Sequence, residues 1–307
     1  MGDTGDYPKD ILEFEKCFAT EEACREYLYQ VRWPNGFICT RCNHREFWIM
    51  QNGLYRCKRC KSRASVTAGT IIQDTRIPLR VWFRAIWQVV SQKHGISALG
   101  LQQILGVNRY ETIWTMLHKL RIATVHPGRD RLIGPVQVDE TWRPTSWKTR
   151  PRRGSEGKAL VLVAVEDKGK HIGRIRLHKA KDASGNSLIP VVEDSVQPDS
   201  EVHTDGWNGY SQLSSSGYKH RIIRKTADVG ENLLPLANRV VALLKRWLQG
   251  THQGAPRSSH LDYYLDEIVF RFNRRTSRLR GMLFYRLIQQ AVNIGPVKGQ
   301  NIRGGQH

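Results

Sequence analysis

The spacing of apolar residues changes along the chain, from a helical period in the first part to strand-like runs in the second. Between residues 9 and 30, apolar side chains recur every three or four positions, which predicts a helix. The stretch 78–122 predicts several further helices. From about residue 132 onward, short β-rich apolar runs predict strands. These runs lie at 132–138, 159–165, 172–177 and 202–204.

Helices are predicted around these strands, at 182–194 and again over 233–294. Strands surrounded by helices predict an α/β domain with a mixed sheet. The last residues contain Gly, Gln and Arg without periodicity, which predicts a mobile tail. The 307 residues leave room for two or three domains. The pattern divides the chain into 1–68, 69–126, 127–294 and the tail 295–307.

Four cysteines in two Cys-x-x-Cys pairs predict a zinc site in the first region. The pairs are Cys39 with Cys42 and Cys57 with Cys60. Thiolates suit tetrahedral Zn²⁺, and each pair can place two sulfurs on one ion. An Asn-Gly turn at 52–53, between two apolar stretches, predicts a hairpin and therefore a zinc ribbon. A redox pair or a disulfide set is the alternative, and His44 is an alternative ligand.

The charge of the chain predicts a polyanionic partner. The formal net charge is +20 and the pI is near 10, which points to nucleic acid but does not separate DNA from RNA. Basic residues, Arg59 among them, surround the cysteine pairs and favour DNA. No apolar run reaches about 18 residues, so no membrane span is expected. Cysteine pairs of this kind and a polar N-terminus without signal-peptide order indicate the cytoplasm.

Residues 97–120 predict a helix-turn-helix. A short helical pattern follows Ser97, a turn follows at Gly106, and a second helical pattern begins at Arg109. Arg109 and Lys119 are expected to face DNA, and an ordinary helical hairpin is the alternative. The predicted core of this pair consists of Leu101, Ile104, Leu105, Ile113 and Leu117.

Two aspartates stand at the ends of strand-like runs. Asp139 ends the run Val-Gln-Val-Asp, and Asp205 ends Val-His-Thr-Asp. Carboxylates on neighbouring strands can bind Mg²⁺, which prefers oxygen ligands, and a pair of such ions supports phosphoryl transfer. The alternative for each aspartate is a turn or cap residue.

Several segments of the chain resemble the bacterial insertion-sequence transposases that combine a zinc ribbon with an acidic-triad, ribonuclease H-like catalytic domain. They are the two Cys-x-x-Cys pairs, VDETW, HTDGWNGY, NRVVALLKRWLQGTHQG from Asn238 and HLDYYLDEIVFRFNRR from His260. The resemblance implies a ribonuclease H-like domain over 127–294, with a zinc ribbon and a helix-turn-helix in front. It also implies Asp139 and Asp205 as catalytic ligands of Mg²⁺ or Mn²⁺.

The third member of the triad is usually Glu, and in this subgroup it is Asn or His followed seven residues later by Lys. Asn238 and Lys245 fit that spacing. They lie on the side of a helix opposite its apolar stripe, about 10 Å apart along the axis. An Asn carbonyl can bind Mg²⁺ but brings no charge, so Glu267 and Glu231 remain alternatives. Glu140 is expected to point away from Asp139 and to support the site from behind.

The resemblance implies a DNA transposase that binds the inverted repeats at element ends, then cuts and joins strands. Its partners would be double-stranded DNA, at element ends and targets, and at least one further copy of the chain. We expect it at the bacterial nucleoid. A non-catalytic DNA-binding regulator derived from a transposase is the alternative. Further DNA contacts are expected from Lys245, Arg246, Arg274 and Arg275.

Overall fold

The computed structural model describes residues 7–125, 128–144, 158–169, 171–224, 232–252 and 256–305. The chain divides into two compact units. The first unit comprises residues 1–126 and 277–304, and the second comprises residues 127–276 with 305–307.

Helices form most of the first unit, and aromatic side chains fill its core. The helices are α1 (Ile11–Cys17), α2 (Glu21–Arg32), α3 (Leu79–Ser91), α4 (Ala98–Leu105) and α5 (Tyr110–Ala123). The predicted helix over 9–30 is two helices, because the chain turns after Cys17 and Thr20 caps the second one. The ring of Phe14 lies 4.8 Å from that of Trp87, and Phe18 lies 4.8 Å from Phe83. These pairs hold α1 against α3.

A small antiparallel sheet carries the cysteine pairs. Its strands are β1 (Phe47–Ile49), β2 (Tyr55–Cys57) and β3 (Arg63–Ala64), in that order. The predicted hairpin is confirmed, since Ile49 pairs with Tyr55. Gly53 has φ +75°, a left-handed conformation that Gly adopts without a steric cost.

The two helices predicted over 97–120 are present, with a tight turn between them. Ser97 caps α4 by accepting a hydrogen bond from the Gly100 N–H, and Gly106 ends α4 in the left-handed conformation. Three of the five predicted core residues are fully buried, namely Leu101, Ile113 and Leu117. The prediction for Ile104 is wrong, because it lies on the outer side of α4 and is 52% exposed.

A five-stranded mixed sheet is the centre of the second unit and confirms the predicted α/β class. Its strands are β4 (Val136–Pro144), β5 (Lys158–Asp167), β6 (Ile172–Ala180), β7 (Glu201–Thr204) and β8 (Lys219–Ile222). The order is β6-β5-β4-β7-β8, with β5 antiparallel to both neighbours and β4, β7 and β8 parallel. This is the arrangement expected of a ribonuclease H-like domain.

Helices cover both faces of this sheet. α7 (Pro235–His252) and α8 (Leu261–Asn273) pack on the face that carries Val161, Val163 and Val165. α6 (Gly185–Ser195) packs on the other face, against Val138 and Leu162. Each face therefore has its own apolar core. The expectation that Asp139 ends its strand is wrong, because β4 continues past it to Pro144 in its pairing with β5, whereas β7 ends at Thr204, directly before Asp205.

The chain returns to the first unit after residue 276, which the sequence did not predict. α9 (Arg280–Asn293) packs against α2, α3 and α5, and α10 (Gly299–Arg303) packs against α5. The predicted boundary at 294 differs from this division because α9 presents buried apolar residues, Phe284 among them, to the first unit. The predicted tail is helical at α10, where Ile302 is fully buried.

Within the described ranges, no helix combines the length and the apolar character that a bilayer crossing requires.

Candidate metal centres and active site

The four cysteines come together in the first unit. Their sulfur atoms all lie within 4.8 Å of one another, with Cys39 3.6 Å from Cys60 and Cys42 3.6 Å from Cys57. Four sulfurs at about 2.3 Å from a tetrahedral Zn²⁺ would be about 3.8 Å apart. The donor set therefore fits structural zinc. His44 is not one of the clustered ligands.

The side of the cluster next to Ser62 favours thiolates. The Ser62 hydroxyl lies 3.0 Å from the Cys60 sulfur and 3.3 Å from the Cys39 sulfur. This hydroxyl and the Ser62 backbone hold the pKa of Cys60 below its usual value. A thiolate is the form that binds metal.

The register of the second sheet brings the two predicted aspartates together. β4 and β7 are parallel, with Val136 opposite Val202 and Gln137 opposite His203. Continued two residues further, just past the end of β7, this register leads to Asp139 on β4 and to Asp205. Neighbouring strands are about 4.8 Å apart, so the two residues lie close together near the middle of the sheet, where β7 ends.

Asp139 points to the side of the sheet that α7 covers. It pairs across the strands with Val163, whose side chain belongs to the core beneath α7. Gln137 is on the same side, and its Oε1 accepts hydrogen bonds from the backbone N–H groups of Leu236 (3.0 Å) and Ala237 (3.3 Å). These are in the first turn of α7. Gln137 thus fastens the start of α7 next to Asp139.

Charges from two other elements act on Asp139. Burial raises the pKa of Asp139, and the negative charge of Asp205 raises it further, while the Glu140 N–H and the Lys245 ammonium lower it. Asp139, Asp205 and Lys245 are therefore close enough to interact electrostatically. Two carboxylates this close repel each other, and a bound cation relieves that repulsion.

The turn after β7 positions Asp205. Its Oδ1 accepts a hydrogen bond from the Trp207 N–H at 3.0 Å. Gly206 between them has φ +87°, and a Cβ there would lie 2.7 Å from Ile222 Cγ2. Only glycine fits this position without a shift of β8.

Glu140 points away from Asp139, as predicted. It pairs with Leu162, whose side chain faces the α6 side of the sheet. Its Oε2 accepts a hydrogen bond from the buried Tyr210 hydroxyl at 2.6 Å. Tyr210 lies in the turn that follows Asp205, so this bond ties β4 to the end of β7 behind the carboxylates.

Asn238 and Lys245 lie on one exposed side of α7. At 100° per residue they are about 20° apart around the helix, with Ala242 between them. All three are exposed. The Asn238 amide donates a hydrogen bond to Asn232 Oδ1 at 2.7 Å. Because Lys245 interacts with Asp139, this side of α7 borders the acidic pair.

Glu267 and Glu231 are the other candidates for a third acidic ligand. Glu267 is 1% exposed, and its Oε1 accepts a hydrogen bond from Arg271 Nε at 2.8 Å within α8. Its carboxylate is already neutralised by a buried guanidinium. Glu231 lies outside the described residues.

Five of the seven predicted DNA contacts are exposed, and Lys119 and Arg274 are partly buried. The exposed ones are Arg59, Arg109, Lys245, Arg246 and Arg275. The Lys119 ammonium instead donates to the Ile71 carbonyl at 2.9 Å. Burial lowers the pKa of Lys119. In this structure the Lys119 side chain therefore reaches into the first unit, and its contact with DNA stays a prediction.

Arg274 and Arg275 also bind within the protein. The Arg275 guanidinium donates to the carbonyls of Ile172 and Gly173 on β6 and lies 4.1 Å from the Phe272 ring. The Arg274 guanidinium lies 4.2 Å from the ring of Phe270 and donates to its carbonyl. These groups hold the end of α8, and the DNA contacts expected of them stay predictions.

Sequence reasoning missed the residues that hold the site together. In the sequence, Gln137 is one strand residue among several, and Tyr210 is one residue of a turn. The alternation of strand residues could have placed Gln137 on the side of Asp139. No local signal relates Tyr210 to Glu140, since the two are 70 residues apart.

Two segments of the chain match transposase domains, and the chain is similar to two transposon-related proteins. Residues 131–273 match the ISXO2-like transposase domain, and residues 19–63 match the transposase zinc-ribbon domain. An uncharacterized protein in the transposable element ISH50 of Halobacterium salinarum is 28% identical over 219 residues, which cover 64% of this chain and 71% of that protein. An uncharacterized transposase-like protein of Haemophilus influenzae is 28% identical over 112 residues, 34% of this chain and 86% of that protein. The chain therefore contains a segment that matches a transposase zinc ribbon and a longer segment that matches an ISXO2-like transposase domain.

Proposed function

We propose that this chain is a metal-dependent DNA transposase that cleaves DNA at element ends and joins those ends to target DNA. The observation that carries the proposal is the parallel pairing of β4 with β7, which brings Asp139 close to Asp205 where β7 ends. The exposed side of α7 with Lys245 borders the pair. Acidic side chains beside a cation, in a chain of net charge +20, suit phosphodiester chemistry.

Asp139 and Asp205 would hold Mg²⁺ or Mn²⁺, with the Asn238 side-chain oxygen as a neutral third ligand. Such ions stabilise the charge that develops on the attacking and leaving oxygens. Asn238 donates its amide N–H to Asn232, which leaves its oxygen as the atom suited to a metal. Lys245 would bind a non-bridging phosphate oxygen and position the scissile bond.

The reaction has two in-line displacements. A water oxygen attacks the phosphorus at the element end, the bond from phosphorus to the 3′ oxygen breaks, and a 3′ hydroxyl is released. That hydroxyl then attacks a target phosphorus, and a target 3′ oxygen leaves. Each step exchanges one ester bond for another bond to phosphorus, so neither needs a covalent enzyme intermediate.

The first unit would supply recognition of the terminal inverted repeats. The ribbon and the α4–α5 pair carry exposed cations, including Arg59 and Arg109. Arg246 adds a cation beside Lys245 on α7. Joining two ends requires at least two copies of the chain on DNA. Chromosomal DNA in the bacterial cytoplasm is the expected place of action.

A cleavage assay tests this function. The substrate is a plasmid carrying the inverted repeats that flank the coding region, incubated with Mg²⁺. The wild-type chain should release 3′ hydroxyl ends and strand-transfer products. Asp139→Asn and Asp205→Asn should each lower product formation at least a hundredfold while binding the same DNA. Asp130→Asn, at an exposed aspartate of the same unit, is the matched control and should cleave normally.

The uncharged side chain at Asn238 favours a second candidate, a DNA-binding regulator derived from a transposase. Sequence-specific binding without metal-dependent strand breakage in the wild-type chain would support that function and contradict the first. Cleavage without joined products would instead indicate a nuclease.

A further inference from the structure

The outer face of the ribbon sheet gathers cations around one exposed tryptophan. Trp48 on β1 is 46% exposed. The Lys61 ammonium lies 4.5 Å from the centre of its ring, and Lys58 and Arg56 lie at 5.9 and 6.0 Å. We define these residues, together with Arg63, as the Trp48 patch.

The strand register extends this patch across the whole sheet. Trp48 pairs with Arg56, and Arg56 pairs with Arg63 on β3. Directly paired residues share a face, so the three form a row. The opposite face is different, because Phe47 and Tyr55 pack there against Trp33 and Phe37.

The arrangement costs stability unless an anion is bound. Like charges directly opposite one another in a sheet repel, and Arg56 and Arg63 are such a pair. The acidic group near the patch is Glu46, whose carboxylate is 3.9 Å from Lys58 and 3.7 Å from His44. One carboxylate does not balance four cations. Attraction to the indole ring offsets part of the repulsion and holds the ammonium groups in place.

We propose that the Trp48 patch binds the phosphate backbone of duplex DNA, with Trp48 as a positioning residue that holds the cations rather than as a base-stacking residue. This extends the proposed function, since it assumes a DNA substrate. Lys61 lies over the ring that a base would need for stacking. A row of cations along one face of a sheet suits phosphates, and phosphate contacts carry no sequence information.

Binding of a labelled random-sequence duplex by the full chain, measured by fluorescence anisotropy over a salt series, tests the proposal. The slope of log K against log[salt] is negative, and it becomes shallower by about 0.9 for each phosphate that the protein no longer neutralises. The double variant Arg56→Gln with Arg63→Gln should therefore make the slope shallower by about 1.8, twice that value. Lys16→Gln, at an exposed cation on α1, is the control and should leave it unchanged. A slope equal to that of the control in the double variant overturns the proposal.

Trp48 variants separate positioning from stacking. Trp48→Leu removes no charge, so it should weaken duplex binding about two- to fivefold, the equivalent of one exposed cation–π contact, and leave the salt slope unchanged. Trp48→Phe should restore most of the affinity. A loss confined to single-stranded DNA would show stacking and overturn the proposed role. Because random-sequence binding needs no catalysis, Asp139→Asn should bind normally even if the proposed transposition fails.

Discussion

The positions of the Asp139 and Asp205 side chains each depend on a residue two positions away. Gln137, two residues before Asp139, binds the first turn of α7 through two backbone N–H groups. Trp207, two residues after Asp205, donates its N–H to that carboxylate. Short aspartate side chains are long enough for the two carboxylates to come close, because the pairing of β4 with β7 brings their backbones together.

At the residue scale, His178 should make the second unit sensitive to acid. Burial lowers the pKa of His178 to about 4, the Arg129 charge lowers it further, and Asp194 opposes them. In the unfolded chain His titrates near 6.5. The unfolded state therefore binds more protons between these values, so stability is complete above about pH 6.5 and is lost as the pH falls toward 4.

Urea unfolding of the second unit at pH 7.5 and 5.5 measures this effect. The free energy of unfolding should fall by about 1.4 kcal/mol in total between these two pH values, because the effect begins only near pH 6.5. His178→Gln, which can still accept the hydrogen bond from Arg129 at the ring Nε2 position, should reduce the fall. An equal pH dependence in both proteins would contradict this cause.

At the scale of elements, α8 covers the free edge of the sheet. β6 is an edge strand. Asn273 Oδ1 accepts from the Ile175 N–H at 2.8 Å, and Asn273 Nδ2 donates to the Ile175 carbonyl at 3.1 Å. This side chain pairs with the strand as a further strand would. Together with Arg275, it occupies backbone groups of an edge strand that could otherwise pair with a strand of another chain.

Asn273→Ala should therefore destabilise the second unit. Both backbone groups of the buried Ile175 would be left without this partner, which costs about 1–3 kcal/mol for a group left unsatisfied. Thermal unfolding should show a lower midpoint, while Thr276→Ala, at an exposed position nearby, should not. An unchanged midpoint in Asn273→Ala would mean that water replaces the amide without cost.

The sequence predicted some secondary-structure elements and missed others. The cysteine hairpin and β4 to β7 were predictable, because their signals are local spacing and runs of apolar residues. β8 was missed, since its residues are mostly exposed and include one apolar side chain, Ile222. The inward direction of Lys119 was missed because its partner, the Ile71 carbonyl, is 48 residues away. Long-range partners of this kind have no signal in a single sequence.

At the scale of the whole molecule, the chain returns to its first unit through α9. Phe284 is fully buried, and its ring lies 5.4 Å from Phe14, 5.4 Å from Phe18 and 5.6 Å from Phe83. A helical pattern over 233–294 predicted the helix but not its neighbours. The first unit therefore depends on residues from both ends of the sequence.

Phe284→Ala should lower the stability of the first unit by about 3–5 kcal/mol, the usual cost of emptying a buried aromatic site. The second unit should be unaffected. Limited proteolysis with mass spectrometry should find faster cleavage within α1 to α5 and unchanged cleavage within the sheet of the second unit. Arg286→Ala, at an exposed position of the same helix, is the control. Faster cleavage of the second unit instead would contradict this division.

The central claim is that Asp139 and Asp205 share divalent metal ions, and Mn²⁺ binding tests it most directly. Electron paramagnetic resonance of the zinc-loaded chain with its DNA should show bound Mn²⁺. Asp139→Asn and Asp205→Asn should each lose that binding, while Asp130→Asn keeps it. Retention of the full Mn²⁺ signal in either of the first two variants would contradict a shared site.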